Sequence, residues 1–283
     1  MKLAHDLLTE GVAKLRAAGI EGAARDARWL LAHALGIAPD RVTLVLADPV
    51  NAAQDAAFQR AISARARHQP VAQIIGQRQF WGRDFLVTPD VLDPRPETET
   101  LIAAALEHPF ETVLDLGTGS GAILLTLLAE CPKARGLGVD LSPQALEVAR
   151  GNARALGLAE RAQLTRSDWF EQVRGSFDLI VSNPPYIAAC EYSHLAPELR
   201  LWEPRMALVP AGCDGSGLAA YCTIIAKAPT YLRPAGRLLV EIGLGQGAAV
   251  QALMEAAGLR DIQIMSDMTG RARVVAAQAP DGP

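Results

Sequence analysis

With 283 residues, half of them apolar and a fifth charged, the chain has the length for one large domain plus a smaller one and is too apolar to stay disordered. Lys and Arg total 27 against 31 Asp and Glu, a net charge of −4, so no uniform positive field holds nucleic acid non-specifically. No run approaches the roughly 20 apolar residues that span a bilayer, and Asp6 and Glu10 interrupt the start where a signal peptide needs an apolar core; a soluble, cytoplasmic protein with no membrane partner is expected.

The first 70 residues read as helices only. Leu3, Leu7, Leu8, Val12 and Leu15 recur at helical spacing, as do Ala27, Leu30, Leu31, Ala34 and Leu35, and a third segment runs through Phe58, Ala61 and Ile62 towards Arg67. Gly19, Gly36 and Pro39 punctuate them, which predicts a small helical bundle over 1–70. From Val71 to about residue 95, Ile74, Ile75, Phe80, Trp81, Phe85, Leu86 and Val87 are broken by Gly76 and Gly82, a pattern that predicts a β-hairpin linker. Arg95-Pro96-Glu97-Thr98-Glu99-Thr100 then opens a helix, with proline and acids where a helix N-terminus favours them.

Beyond residue 96, strand and helix signals alternate. Strands are predicted at Thr112 to Leu116, Gly136 to Asp140, Ala162 to Thr165, Phe177 to Ser182, Arg237 to Ile242, Ile262 to Met265 and Ala272 to Ala276. Helices are predicted at Ala122 to Glu130, Pro143 to Leu156, Leu218 to Ala228 and Gly247 to Ala257. Such alternation gives an α/β fold, a doubly wound, mostly parallel seven-stranded sheet over 96–283 covered on both faces.

Chemistry-bearing motifs sit at the ends of these strands. Val113-Leu114-Asp115-Leu116 runs into Gly117-Thr118-Gly119-Ser120-Gly121 and at once into an apolar helix, so backbone N–H groups can approach a ligand from a helix N-terminus. Asp140 closes the next strand, 25 residues after Asp115, where a carboxylate accepts from both hydroxyls of a ribose. Asp168 and Trp169 follow the third strand and offer an acid and an aromatic face to an adenine. The ligand is therefore an adenosine derivative. The G-x-G-x-G spacing, with Asp115 placed to repel a pyrophosphate and to orient a cation, favours S-adenosyl-L-methionine over a dinucleotide.

Asn183-Pro184-Pro185-Tyr186 follows another strand. The two prolines remove backbone donors and hold the preceding residues extended, so the Asn183 side-chain oxygen and the Pro184 carbonyl form a rigid acceptor pair for a planar NH₂ group. Tyr186 is placed to stack on the planar substrate, which makes Asn183, Pro184 and Tyr186 the candidate catalytic residues and Asn183 to Tyr186 the candidate substrate clamp. An amide nitrogen and the exocyclic amine of adenine or cytosine fit such a clamp alike, and an idle binding module remains a third possibility.

Arg95-Pro96-Glu97-Thr98-Glu99, the Asp115 to Gly121 turn, Ser167-Asp168-Trp169-Phe170 and Ser182 to Ile187 together resemble the successive motifs of the peptide chain release factor N5-glutamine methyltransferase (HemK/PrmC) family, as does Glu203-Pro204-Arg205 with Asp214-Gly215. The resemblance implies methylation of the glutamine in the Gly-Gly-Gln loop of class I release factors, which would dock on the helical domain. It implies that Gly117, Thr118, Gly119, Ser120, Gly121, Asp140, Asp168, Trp169 and Asn183 hold the cofactor, and that Asn183 to Tyr186 hold the glutamine amide. One departure, Glu241-Ile242-Gly243-Leu244-Gly245-Gln246-Gly247, is expected to have little effect.

Glu97 and Glu99 read as ordinary first-turn acids, and 199–217, rich in Pro and Gly, as either a substrate cover or a connecting loop. The five histidines are isolated and the four cysteines show no paired spacing, so no metal site is expected, the thiols are expected to be buried, and the enzyme to act as a monomer.

Overall fold

A computed structural model describes residues 2–212 and 215–281. The elements run α1 (Ala4–Ala17), α2 (Ala23–Leu35), a 3₁₀ turn (Pro39–Val45), α3 (Ala52–Arg65), α4 (Val71–Ile75), β1 (Gln77–Phe80), β2 (Arg83–Leu86), a 3₁₀ turn (Pro96–Thr98) and α5 (Glu99–Leu106). They continue as β3 (Thr112–Leu116), α6 (Ala122–Glu130), β4 (Arg135–Asp140), α7 (Pro143–Ala155), β5 (Ala162–Arg166), β6 (Phe177–Ser182) and a 3₁₀ turn (Tyr192–His194). The last are α8 (Pro197–Trp202), α9 (Arg205–Leu208), α10 (Ala219–Tyr231), β7 (Leu232–Glu241), α11 (Gly247–Ala256), β8 (Arg260–Ser266) and β9 (Ala272–Gln278).

The chain divides into two compact units, 2–77 with Ala196–Trp202, and Arg78–Leu195 with 203–281. In the first, the apolar stripes of α1 to α3 close on a core that includes Leu7, Leu15, Leu30, Leu31, Phe58 and Ile62. The return of Ala196–Trp202 to this unit has no apolar signature; polar groups hold it. Arg65 is buried, and its Nε donates to Asp26 Oδ2 at 2.8 Å, its Nη2 to Glu198 Oε1 at 3.1 Å and its Nη1 to the Gln69 carbonyl at 3.3 Å. Trp202 Nε1 donates to the Arg67 carbonyl, and Gln73 Nε2 to the Trp202 carbonyl. The linker differs from expectation at its start: Val71–Ile75 is helical between Pro70 and Gly76, and only Gln77–Phe80 and Arg83–Leu86 pair as strands.

The second unit is a seven-stranded sheet in the order β5-β4-β3-β6-β7-β9-β8, parallel except where β9 pairs antiparallel with β7 and β8. β3 and β6 are buried on both faces, which is why their sequences run apolar without alternation. α6 is buried from Ala122 to Leu128 and seats close to β4, where a β-carbon on Gly136 would come within 2.4 Å of Leu124 Cδ1. Among the described cysteines, Cys131 is half-buried and Cys190 and Cys222 are exposed, so the expectation of buried thiols fails for two of them.

One buried polar side chain ties the hairpin to the glycine turn. Asn152 on α7 accepts from Leu86 N–H at 2.7 Å and donates to the carbonyls of Leu86 (3.2 Å) and Ser120 (2.8 Å). Asn152→Ala orphans those three backbone groups, so urea unfolding is expected to show a loss of roughly 2–3 kcal/mol at unchanged m-value.

Candidate active site

Register brings the motifs together. Leu116 at the end of β3 lies opposite Val139 on β4 and Ser182 on β6, so the residues that follow, Gly117, Asp140 and Asn183, emerge side by side. Asp140 pairs with Arg166, which puts Ser167 to Trp169 on the same edge, and Ser182 pairs with Val240, which carries Glu241 alongside Asn183. The strand order reverses between β3 and β6, the switch point where open parallel sheets form their crevice. A cavity of about 660 Å³ occupies this edge, with Gly117 to Ser120, Asp140, Asp168, Trp169, Asn183 and Pro185 in its wall.

The glycine turn needs its glycines. Gly117, Gly119 and Gly121 have φ of 72°, 56° and 80°, the left-handed region that side chains with a β-carbon avoid. A β-carbon at Gly117 would stand 3.7 Å from the Trp169 ring, whereas one at Gly119 would meet no protein atom within 4 Å, leaving free space beside the cavity wall. Gly121 is not in the wall; it caps α6 against Leu125 and Ala149.

Asp140 uses one lone pair on each oxygen to hold backbone, taking Gly119 N–H on Oδ2 and Ser142 N–H on Oδ1, both at 2.9 Å. Burial raises its pKa while those N–H groups pull it back, and each oxygen keeps acceptor capacity for a hydroxyl. Trp169 is half-buried with φ of 46°, its turn fixed by Ser167, whose hydroxyl donates to the Trp169 carbonyl at 2.8 Å; Asp168 is exposed at the rim.

Asp115 does not do what the spacing suggested. It is fully buried beneath the turn and absent from the cavity wall, with Oδ2 accepting from Thr118 Oγ1 at 2.6 Å and from Leu124 N–H at 3.3 Å. Burial pushes its pKa up to about 7 against those two bonds. Its work is to brace the turn, not to face a cation.

In the second motif, Asn183 is half-buried in the wall and its Nδ2 donates to the buried Thr98 hydroxyl at 3.3 Å. Pro184 is buried and Pro185 lines the cavity. Tyr186 is not in the wall: its ring packs on the core around Tyr221 and Ile242, and burial with the neighbouring Glu241 charge pushes its hydroxyl up to about 12. The 241–247 segment holds this loop. Gln246 Nε2 donates to the Tyr186 carbonyl at 3.0 Å while its Oε1 accepts from Gly243 N–H at 3.0 Å and from the Tyr221 hydroxyl at 3.3 Å.

Arg95, in the wall, is clasped by the fully buried Glu203, which is not in it. Arg95 Nη2 donates to Glu203 Oε1 at 2.7 Å, and Asp93 N–H to Glu203 Oε2 at 3.2 Å. Burial raises both Asp93 and Glu203, and the nearby guanidinium groups work against it. Segment 199–217 is thus neither purely a cover nor a connector: its first part belongs to the helical unit and Pro204 to Gly212 to the wall, while Asp214 lies outside the described residues. Glu99 accepts Trp81 N–H at 2.8 Å, an anchoring role. Sequence reasoning missed Thr98 as a partner of Asn183, together with Glu241 and Gln246; only the strand register reveals the latter two.

Residues 6–76 match the family described as PrmC N-terminal domain, and residues 92–212 the one described as Methyltransferase small domain. A protein of Cereibacter sphaeroides named release factor glutamine methyltransferase is 58% identical over 277 residues, 98% of this chain and 99% of that one. A Rhodospirillum rubrum protein of the same name is 45% identical over 275 residues, 96% of this chain and 84% of that one. Among solved structures, a methyltransferase from Pyrococcus furiosus superposes with a TM-score of 0.56 at 16% identity, covering 77% of this chain and 98% of that one, a likeness of fold.

Proposed function

Because the chain belongs to the release factor glutamine methyltransferase family, we propose that it transfers a methyl group from S-adenosyl-L-methionine to N5 of the glutamine in the Gly-Gly-Gln motif of class I peptide chain release factors. The observation that carries this reading is that Asn183 and Pro185, on either side of the buried Pro184, line the same cavity as the glycine turn and Asp140.

The residues present suit the cofactor. Asp140 has acceptor capacity for two ribose hydroxyls, Trp169 and Asp168 offer a face and an acceptor to the adenine, and the backbone of Gly117 to Ser120 allows close approach. When bound, the cofactor supplies an electrophilic methyl group on a sulfonium.

Asn183 Oδ1 and the Pro184 carbonyl accept the two N–H bonds of the glutamine amide. That fixes the plane of the amide and the direction of its nitrogen, the main source of acceleration for a weak nucleophile. As the N–C bond forms and the methyl–sulfur bond breaks, the nitrogen gains positive charge; the same two oxygens stabilise it without reorganising, because prolines and Gln246 hold the turn rigid, and loss of one N–H proton restores the neutral amide. Tyr186 supports the turn through its carbonyl and core packing. The helical unit is the surface for the release factor, and the same reading has the enzyme act as a monomer in the cytoplasm without a stable nucleic-acid complex.

The test is transfer from methyl-labelled cofactor to purified release factor, DNA or RNA. Mass spectrometry should place one added methyl on the Gly-Gly-Gln glutamine. Label in nucleic acid, or in neither, overturns the reading.

A further inference from the structure

Glu241 ends β7 beside Asn183, is 1% exposed, and has no role in the mechanism above. Its surroundings are unusual for a carboxylate. Among the described residues Oε2 has no hydrogen-bond partner, and the neighbours that act on its charge are Arg273 from β9 and Glu97 from the 3₁₀ turn before α5. Tyr186 and Tyr221, both neutral, are the titratable groups facing it from the Asn183 turn and from α10. The Thr98 hydroxyl and the Asn183 amide both favour its ionised form as donors.

A carboxylate only accepts. A threonine hydroxyl has a single proton, and once that proton points to Glu241 the hydroxyl faces Asn183 with lone pairs alone. Those lone pairs can take only the NH₂ end of the Asn183 carboxamide, which is the Nδ2 to Thr98 Oγ1 contact of 3.3 Å. The carboxamide oxygen is then left for the substrate. A neutral carboxyl group, able to donate to Thr98, would free the threonine proton for the Asn183 oxygen and allow the amide to turn over, presenting NH₂ to NH₂.

We propose that Glu241 is a positioning residue which, directly and through Thr98, fixes the carboxamide orientation of Asn183 and so keeps its oxygen aimed at the substrate amide. The inference rests on the function proposed above and deepens it. Burial raises the Glu241 pKa to about 7, so the aligning charge is present above that value and lost below it.

The experiment uses full-length enzyme and release factor. In the wild type, kcat should fall with unit slope as pH drops through about 7. Glu241→Gln should lower kcat at high pH by about 10-fold or more and lose that acidic limb, with KM for release factor and Kd for cofactor within about twofold, because alignment and not binding is impaired. Thr98→Val, of equal volume, should lower kcat in the same way. If both variants retain the wild-type kcat and pH profile, the inference is overturned. A second readout needs no turnover: the side-chain amide resonances of Asn183, assigned by their loss in Asn183→Ala, should titrate near 7 in wild-type enzyme and not in Glu241→Gln. Their failure to titrate overturns the inference even if methyl transfer is normal, whereas absence of transfer alongside a normal titration removes the proposed function and leaves the alignment standing.

Discussion

Asn183→Ala is expected to lower kcat for release-factor methylation by about 10³-fold or more while weakening cofactor binding by no more than about 10-fold. The asymmetry follows from what each partner loses. In the proposed site the cofactor keeps Asp140, Trp169 and the backbone of Gly117 to Ser120, all on other strand ends. In the proposed clamp the glutamine amide loses one of its two acceptors, and a single remaining hydrogen bond to Pro184 leaves it free to swing about that bond. Removing one preorganised polar partner from a developing charge typically costs about 10²–10³ in rate, and misalignment of the nucleophile adds to it. Asn183→Asp is the sharper control. It keeps an acceptor oxygen but has no N–H for Thr98, and it sets a second carboxylate against the buried Glu241, so it too should be slow. Steady-state kinetics with calorimetric cofactor titration checks both, and turnover by Asn183→Ala within tenfold of wild type would sink the clamp.

The fold was largely written in local pattern. Strands β3 and β6 are continuous apolar runs because both faces are covered, and the glycine turn and Asp140 are legible because they follow such runs directly. Asp115 misled because the reading weighed its charge and its nearness to the glycines but not its face. Along β3 it shares a face with Val113, and period-two alternation places it under α6, where Leu124 N–H reaches it, instead of in the crevice. Glu241 and Gln246 were invisible for a different reason: they meet Asn183 and Tyr186 through the Ser182 to Val240 register, between strands far apart in sequence. The attachment of Ala196–Trp202 to the helical unit rests on Arg65, Gln73 and Trp202, polar contacts with no periodicity to read. Val71–Ile75 is a short apolar run of the kind that length alone does not assign, and a Gly76 at φ of 84° ends it as a helix.

The melting temperature is expected to fall as pH rises from about 5 to 8, opposite to a protein whose carboxylates are stabilised by folding. Asp115 and Glu241 both have pKa values pushed up to about 7 by burial. Below the ordinary carboxylate range both folded and unfolded chains hold these protons. Between that range and about 7 the folded chain holds them and the unfolded chain does not, so stability drops through this window and levels off above it, by on the order of 3 kcal/mol per group. Asp93, Asp140 and Glu203 are raised as well and act in the same direction. Asp178, Glu198 and Asp267 are lowered, and the stability they add is lost only on acidification through and below the ordinary carboxylate range, outside the window from about 5 to 8. Glu241→Gln removes one of the two large contributions, so its melting temperature at pH of about 8 should exceed that of wild type while the two converge near 5. A wild-type melting temperature that rises across the window would mean that water or ions reach these carboxylates and that their charges are not held dry. If it falls and the variant flattens the fall, Glu241 makes the folded enzyme less stable at the pH where its charge is needed to align Asn183, a stability given up for orientation at the reacting centre.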